Sequence, residues 1–231
     1  HGVPPGKVGL PPVPGRWEPV EGRKSLDTGP EGFQAYRRAM GERGVVGAAL
    51  IGTLVMGNPE DILRLYRDTA ALERIRDERI ERVERRRANL RTLDPLPDFV
   101  TFPGSGTLIW QTPEIFRAYA LPALKRGAEL AKAAGVPTHL HSCGPQKALV
   151  EMMAMETDLT IIDPLEIPPM GDCVLAELKR MYGDRIVLKG NLHTTDVVLR
   201  GTPDAVRSAA RQAIDDAAAG GGFVLSSGDQ C

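Results

Sequence analysis

Along most of the chain, short runs of valine, isoleucine and leucine alternate with longer segments in which apolar residues recur at helical spacing. The short runs predict strands, and the longer segments predict helices of about 10 to 20 residues. The predicted strands cover residues 99–102, 138–142, 159–163, 186–190 and 223–227, with 45–51 as a further candidate. Strands that alternate with helices in this way indicate a parallel sheet.

This pattern predicts an α/β fold of the TIM-type (β/α)8 barrel class, incomplete at one or both ends. A Rossmann fold is disfavoured, because no glycine-rich fingerprint follows a strand and opens a helix. Residues 1–30 are rich in proline and glycine and lack apolar periodicity, so we expect an irregular segment there and the barrel domain over 31–231. The longest helix is predicted over residues 59–91, with Asn58 as its cap.

Composition narrows the classes of function. Hydrophobic residues make up 42% of the sequence and charged residues 26%, as in ordinary globular proteins. The formal net charge of -1 gives no support for nucleic-acid binding, and no apolar stretch is long enough to predict a membrane span. Three cysteines are too few for a disulfide scaffold, so we expect reduced thiols in a cytoplasmic protein. The chain starts without methionine or a visible secretory signal, and we expect both ends to be cuts within a larger protein.

Chemically active residues follow the predicted strands, which is where a parallel barrel places its functional groups. His141 and Cys143 are two residues apart at the end of one strand, so their side chains point to the same side. Imidazole and thiolate are good zinc ligands, and Cys231, after the last predicted strand, can supply a third while one position stays open. A buried cysteine beside a core histidine is the alternative interpretation of the pair.

Four more residues at strand ends are candidates for the site. Glu166 is a candidate general base, metal neighbour or transient fourth ligand, and a loop carboxylate in water is the alternative. Asp163 is a candidate catalytic group that orients the ligand histidine. Asn191 is expected to bind cofactor or substrate, or else to tie down its own loop. Ser105 lies between two glycines, and its loop is expected to present backbone donors to an anionic group.

Four strings in the second half of the chain carry a family resemblance: HLHSCGPQKALVEMM, IIDPLEIPPMGDC, DRIVLKGNLHTTDVVLRGTPDAV and GGGFVLSSGDQC. They resemble the uroporphyrinogen decarboxylase superfamily. More narrowly, His141-x-Cys143 with the distant Cys231 resembles its zinc-containing branch, the methylcobamide:coenzyme M methyltransferases. The resemblance implies a barrel enzyme in which zinc activates a thiol such as coenzyme M to accept a methyl group from a methylated corrinoid.

The partners implied by the resemblance are a corrinoid protein and a small thiol, with no nucleic acid or membrane involved and homo-oligomerisation left open. The sequence departs from the family pattern at His193, which stands where an acidic residue usually follows the Gly-Asn motif. His193 is therefore a candidate proton shuttle, because histidine side chains in general can change their protonation near neutral pH, or a rim histidine without a role.

Two further hypotheses stay open. The first is a metal-free decarboxylase of a tetrapyrrole or another polycarboxylate, although the arginine-rich N-terminal signature of such enzymes is not found in this sequence. The second is a barrel that binds zinc without turnover, for instance with Cys173 closing the site.

Overall fold

The computed structural model describes residues 30–229. The chain divides into two compact units, His1–Ala39 and Met40–Cys231. In the first unit, the described residues lie in helix α1 (Pro30–Met40), which ends on the first residue of the second unit. All the other described elements belong to the second unit.

Six parallel strands form one sheet in the second unit. They are β1 (Gly47–Ala49), β2 (Phe99–Phe102), β3 (Thr138–His141), β4 (Ile161–Asp163), β5 (Val187–Leu192) and β6 (Phe223–Ser227). They pair in the order β1-β2-β3-β4-β5-β6. A doubly wound sheet would reverse its strand order at a switch point. The sequential parallel order therefore confirms the predicted α/β fold and matches six neighbouring strands of a barrel wall.

Helices connect the successive strands. They are α2 (Pro59–Leu65), α3 (Thr69–Leu90), α4 (Thr107–Trp110), α5 (Pro113–Ile115), α6 (Leu121–Ala133), α7 (Lys147–Glu156), α8 (Leu175–Tyr182) and α9 (Pro203–Ala217). A 3₁₀ turn covers Gly41–Arg43, and π-helical segments cover Phe116–Ala120 and Thr194–Leu199. Between residues 30 and 229, no helix combines the length and apolar character that a membrane crossing requires.

The prediction of a single helix over residues 59–91 was wrong, because the structure has two helices there. Asn58 accepts a hydrogen bond from the backbone N–H of Asp61 at 2.9 Å and caps the first helix, as predicted. Asp68 accepts from the backbone N–H of Ala71 at 2.9 Å, and this second cap starts a new helix. Apolar residues keep their helical spacing between the two helices, so their pattern does not reveal that Asp68 caps a second helix.

Alternation along β3 separates an apolar face of the sheet from a polar one. Leu140 pairs in register with Phe102 of β2 and with Ile162 of β4, and all three side chains are fully buried in the hydrophobic core. His139 and His141 flank Leu140 along the chain and project from the opposite face, where they are only partly buried. The apolar layer therefore supports the sheet, while the other face carries the polar chemistry.

Candidate metal centre

Strand register brings four polar residues together on the polar face of the sheet. His141 at the end of β3 pairs with Asp163 at the end of β4, and their side chains meet with 2.9 Å between Nδ1 and Oδ1. Lys189 on β5 donates to the other carboxylate oxygen of Asp163 at 2.6 Å. Nε2 of His139 lies 3.1 Å from Oδ1 of Asp163, close enough for attraction although the angle is poor for a hydrogen bond.

These contacts keep the Asp163 side chain charged. Burial raises the pKa of Asp163, but interactions with His139, His141 and Lys189 outweigh burial and hold that pKa well below its usual range. In return, the hydrogen bond to Asp163 raises the pKa of His141 above its ordinary value, against the opposing effect of burial. Asp163 is therefore an anionic anchor shared by two strands that flank its own.

The contact with Asp163 also fixes which ring nitrogen of His141 is available to bind a metal ion. A carboxylate at Nδ1 favours the proton on that nitrogen, and Nε2 keeps its lone pair. Nε2 lies 3.4 Å from Sγ of Cys143 and 3.8 Å from Oδ1 of Asp229. The free lone pair of His141 therefore points to the place where the other two side chains converge.

A three-residue cluster, His141, Cys143 and Asp229, has the geometry of a metal site. One ligand atom from each residue lies within 4.8 Å of the others, and all three side chains are partly buried. Sγ of Cys143 is 3.3 Å from Oδ2 of Asp229. Nitrogen, sulfur and carboxylate oxygen donors suit zinc, and three protein ligands are the number that catalytic zinc sites use.

The electrostatics around Cys143 also favour a bound cation. Burial raises the pKa of the Cys143 thiol to about 11; a hydrogen bond with Ser105 opposes the shift, whereas Asp229 and Glu166 add to it. A thiolate beside two carboxylates is unfavourable unless a positive charge lies among them. The residues present therefore fit a divalent cation, which would replace the thiol proton.

The loop after His141 is held by a buried carboxylate. The backbone N–H of Gly144 donates to Oε2 of Glu166 at 2.5 Å, and Glu166 is only 5% exposed. Gly144 has a φ of 88°, and a Cβ at this position would press against the side chain of Ile109. Glycine is thus required for the turn that presents its N–H to Glu166. Glu166 is a fixed support of the loop that carries Cys143.

The remaining predicted residues have defined positions. Asn191 is buried and donates through Nδ2 to the carbonyl of Leu165 at 3.1 Å, so it holds the loop in which Leu165 has a positive φ of 59°. His193 accepts at Nδ1 from the backbone N–H of Asp196 at 3.0 Å and caps the π-helical segment after β5. That Asn191 binds a cofactor and that His193 transfers a proton stay predictions.

The sequence and the structure point to different residues as the third candidate metal ligand. Cys231 lies outside the described residues, and its role as a ligand stays a prediction. Asp229 was not considered from the sequence, although it follows the last strand two residues before Cys231 and aspartate is an accepted zinc ligand. The thiol of Cys231 in the same segment is the stronger zinc signal in the sequence, because thiolates are typical zinc ligands.

Comparison with known proteins supports a family assignment. The family model described as Uroporphyrinogen decarboxylase (URO-D) matches residues 105–230, more than half of the chain. The match includes His141, Cys143, Asp163 and Asp229. No curated protein matches the chain. The match over helices α4 to α9 and strands β3 to β6 shows that the chain belongs to the uroporphyrinogen decarboxylase family.

Proposed function

We propose that this protein is a zinc-dependent methyltransferase that moves a methyl group from a methylated corrinoid protein to a small thiol such as coenzyme M. The observation that supports this best is the convergence of His141, Cys143 and Asp229, whose ligand atoms lie within 4.8 Å of one another. A metal-free decarboxylation has no use for such a donor set. Cys231, two residues after Asp229, is an additional candidate ligand in the same segment.

The proposed reaction transfers the methyl group from the cobalt of the corrinoid to the sulfur of the acceptor thiol. A carbon–sulfur bond forms as the carbon–cobalt bond breaks, the thiol proton leaves to solvent, and the cobalt keeps the bonding electron pair. Zinc, when bound, would supply the acidity that converts the acceptor thiol into the nucleophilic thiolate. The chain itself orients the donors, because Asp163 aligns His141 and Glu166 holds the loop of Cys143.

A decarboxylase acting on a polycarboxylate is the second enzyme hypothesis, and two cations, Lys189 on β5 and Arg79 on α3, bear on it. Such a substrate needs cationic side chains that are free to meet its carboxylates. Lys189 is already paired with Asp163 at 2.6 Å. Arg79 is buried and donates to the carbonyls of Gly52 and Leu54 at 2.6 and 2.8 Å. Both cations are engaged by the protein, so neither offers a free charge to a substrate carboxylate.

Metal analysis of the purified full chain is the first test. We expect about one zinc per chain, loss of that zinc in Cys143→Ser, and retention in Cys173→Ser, which removes a buried thiol outside the cluster. Circular dichroism checks that both variants fold. A folded protein that binds no metal would remove the basis of the proposal.

Activity is tested with methylcobalamin and a panel of thiols, following the change in corrin absorbance. Thiol-dependent methyl loss in the unmutated protein, absent in Cys143→Ser, is the expected result. Metal binding without methyl loss to any thiol would favour the non-catalytic zinc barrel instead.

Cobalt substitution distinguishes the two candidates for the third ligand. Thiolate-to-cobalt charge transfer in the near ultraviolet grows with the number of coordinated thiolates. If Asp229 is the ligand, Cys231→Ser leaves this absorption unchanged, and Asp229→Ala weakens metal binding. If Cys231 is the ligand, Cys231→Ser removes about half of the absorption.

A further inference from the structure

The loop between β4 and α8 contains a leucine in an unusual backbone conformation. Leu165 has a φ of 59°, in the left-handed region, and its side chain is fully buried. Left-handed backbone is unfavourable for leucine because its Cβ comes too close to the following carbonyl oxygen. Such a conformation persists only where the surrounding structure holds it in place. The contacts around Leu165 therefore determine the course of this loop.

Gln146, in the loop after β3, supplies one of these contacts and a second one beside it. Its side chain is fully buried, and its amide oxygen accepts from the backbone N–H of Leu165 at 2.6 Å. Its amide nitrogen donates to the backbone carbonyl of Asp163 at 2.8 Å. One side chain therefore holds the backbone at two points of the loop, two residues apart.

The position of Gln146 is itself fixed by the same loop. Oδ1 of Asp172 accepts from the backbone N–H groups of Gln146 and Lys147 at 2.7 and 3.0 Å. Closer to β4, the carbonyl of Glu166 accepts from the backbone N–H of Cys173 at 3.1 Å. The loops after β3 and β4 are thus linked by hydrogen bonds in both directions.

The course of the backbone at Leu165 decides where two carboxylates point. Asp163 and Glu166 are three residues apart, and in an extended chain residues at this spacing point to opposite faces. In the structure, Asp163 lies 2.9 Å from His141, and Glu166 accepts from the backbone N–H of Gly144 at 2.5 Å. The turn at Leu165 therefore brings both carboxylates to the strand and the loop that carry candidate ligands.

We propose that Gln146 is a positioning residue of the candidate metal centre. It holds Leu165 in the left-handed conformation, so that the carboxylates before and after this residue both reach their partners. Without Gln146, the N–H of Leu165 and the carbonyl of Asp163 would lose buried partners, and the loop would leave its strained conformation. The inference rests on the proposed zinc-dependent function and adds a residue that contacts neither the metal nor its ligands.

A second buried glutamine offers a matched control. Gln111 is 3% exposed, donates to the carbonyl of Thr53 at 2.9 Å and accepts from the backbone N–H of Val55 at 3.0 Å. It therefore holds two points of the loop after β1, again two residues apart, and that loop contributes none of the three residues of the metal cluster. Replacing either glutamine by methionine keeps a side chain of similar size and removes both hydrogen bonds.

Zinc affinity, metal geometry and stability are compared in the full chain and in its Gln146→Met and Gln111→Met variants. Both variants should lower the urea midpoint of the metal-free protein in EDTA, because each leaves a buried N–H and a buried carbonyl unpaired. Only Gln146→Met should raise the zinc dissociation constant, by about tenfold, the lower end of the effect of groups that orient metal ligands. The d–d absorption of the cobalt-substituted protein should change in this variant alone, because its ligands lose their fixed directions.

Two outcomes would overturn the inference and leave the proposed function intact. They are an unchanged zinc affinity in folded Gln146→Met, and an equal loss of affinity in Gln111→Met, which would indicate a general loosening of the fold. An unmutated protein that binds no zinc would refute the proposed function and the inference together.

The comparison does not depend on the stability of one variant. If Gln146→Met fails to fold in buffer, all proteins are compared in concentrated sucrose, which favours the compact state. Gln146→Asn is a second variant, with an amide one methylene too short to reach both backbone groups. It should also weaken zinc binding, and a folded Gln146→Asn protein with unchanged zinc affinity would contradict the inference.

Discussion

Replacing Asp163 by asparagine is the most direct test of how the candidate metal centre is organised. The substitution keeps the shape of the side chain but removes the charge that attracts His141, His139 and Lys189. An asparagine amide has one accepting oxygen, and its NH₂ group would face a neighbour that is itself a donor. We therefore expect the ring of His141 to lose its fixed tautomer and Lys189 to lose its counter-ion.

Both the loss of zinc affinity and the loss of stability can be given an expected magnitude. Carboxylates that orient a metal-bound histidine typically contribute about 10- to 100-fold to metal affinity, so the dissociation constant for zinc should rise within that range. Removing one partner of a buried ion pair costs about 3–5 kcal/mol. The Asp163 side chain is only 8% exposed, but the Lys189 side chain is 32% exposed and water can reach the orphan ammonium. We expect a smaller loss of unfolding free energy, about 2 kcal/mol.

Two assays separate these effects. Competition with a chromophoric chelator gives the zinc affinity, and urea unfolding in the presence of EDTA gives the stability of the metal-free protein. Asp184→Asn makes the same chemical change at an exposed position and should alter neither quantity. The double variant Asp163→Asn/Lys189→Met should regain stability but not zinc affinity. A folded Asp163→Asn protein with the zinc affinity of the unmutated protein would refute the orienting role.

Metal binding, core packing and helix capping each supply a further test. Because burial raises the pKa of the Cys143 thiol to about 11 and zinc replaces its proton, chelator competition should show affinity rising about tenfold per pH unit near neutrality. Cys143→Ser should lose that contribution; an unmutated protein with no pH dependence would show that the thiol is not a ligand. Leu140→Ala should cost about 2–5 kcal/mol in urea unfolding, against less than about 0.5 kcal/mol for Leu63→Ala at a position 85% exposed, and equal costs would contradict the assigned core. Asp68→Ala should cost about 1 kcal/mol and Asp68→Asn much less, whereas similar losses would argue against the cap at α3.

The strands could be predicted from the sequence because their apolar runs are short and separated by turn residues. The predictions for 99–102 and 223–227 agree with β2 and β6 at both ends, and the other strands differ by one or two residues. The apolar runs do not predict the register in which the strands pair. The contact between His141 and Asp163 joins residues 22 positions apart, and only the pairing of β3 with β4 brings them level.

The surroundings of the site residues were harder to predict than their positions. Glu166 follows a strand, as expected, but its burial depends on the turn at Gly144, which directs a backbone N–H toward the carboxylate. His193 was considered for its proton chemistry, while in the structure one of its nitrogens caps a π-helical segment. Such contacts depend on loop conformations that a residue pattern does not specify.

The His-x-Cys pair is best understood together with the end of the next strand. Asp163 and Glu166 form an Asp-x-x-Glu pair in which the first carboxylate orients His141 and the second holds the loop that carries Cys143. Each of the two candidate ligands, at the end of β3 and in the loop after it, therefore has its own support from a carboxylate at or just after the end of β4. Ligands without such support keep their donor atoms but lose their fixed orientation, and affinity falls. We expect a related chain with His-x-Cys but without Asp-x-x-Glu to bind zinc more weakly than this one, because the organised unit is the pair of strand ends and not the ligand motif alone.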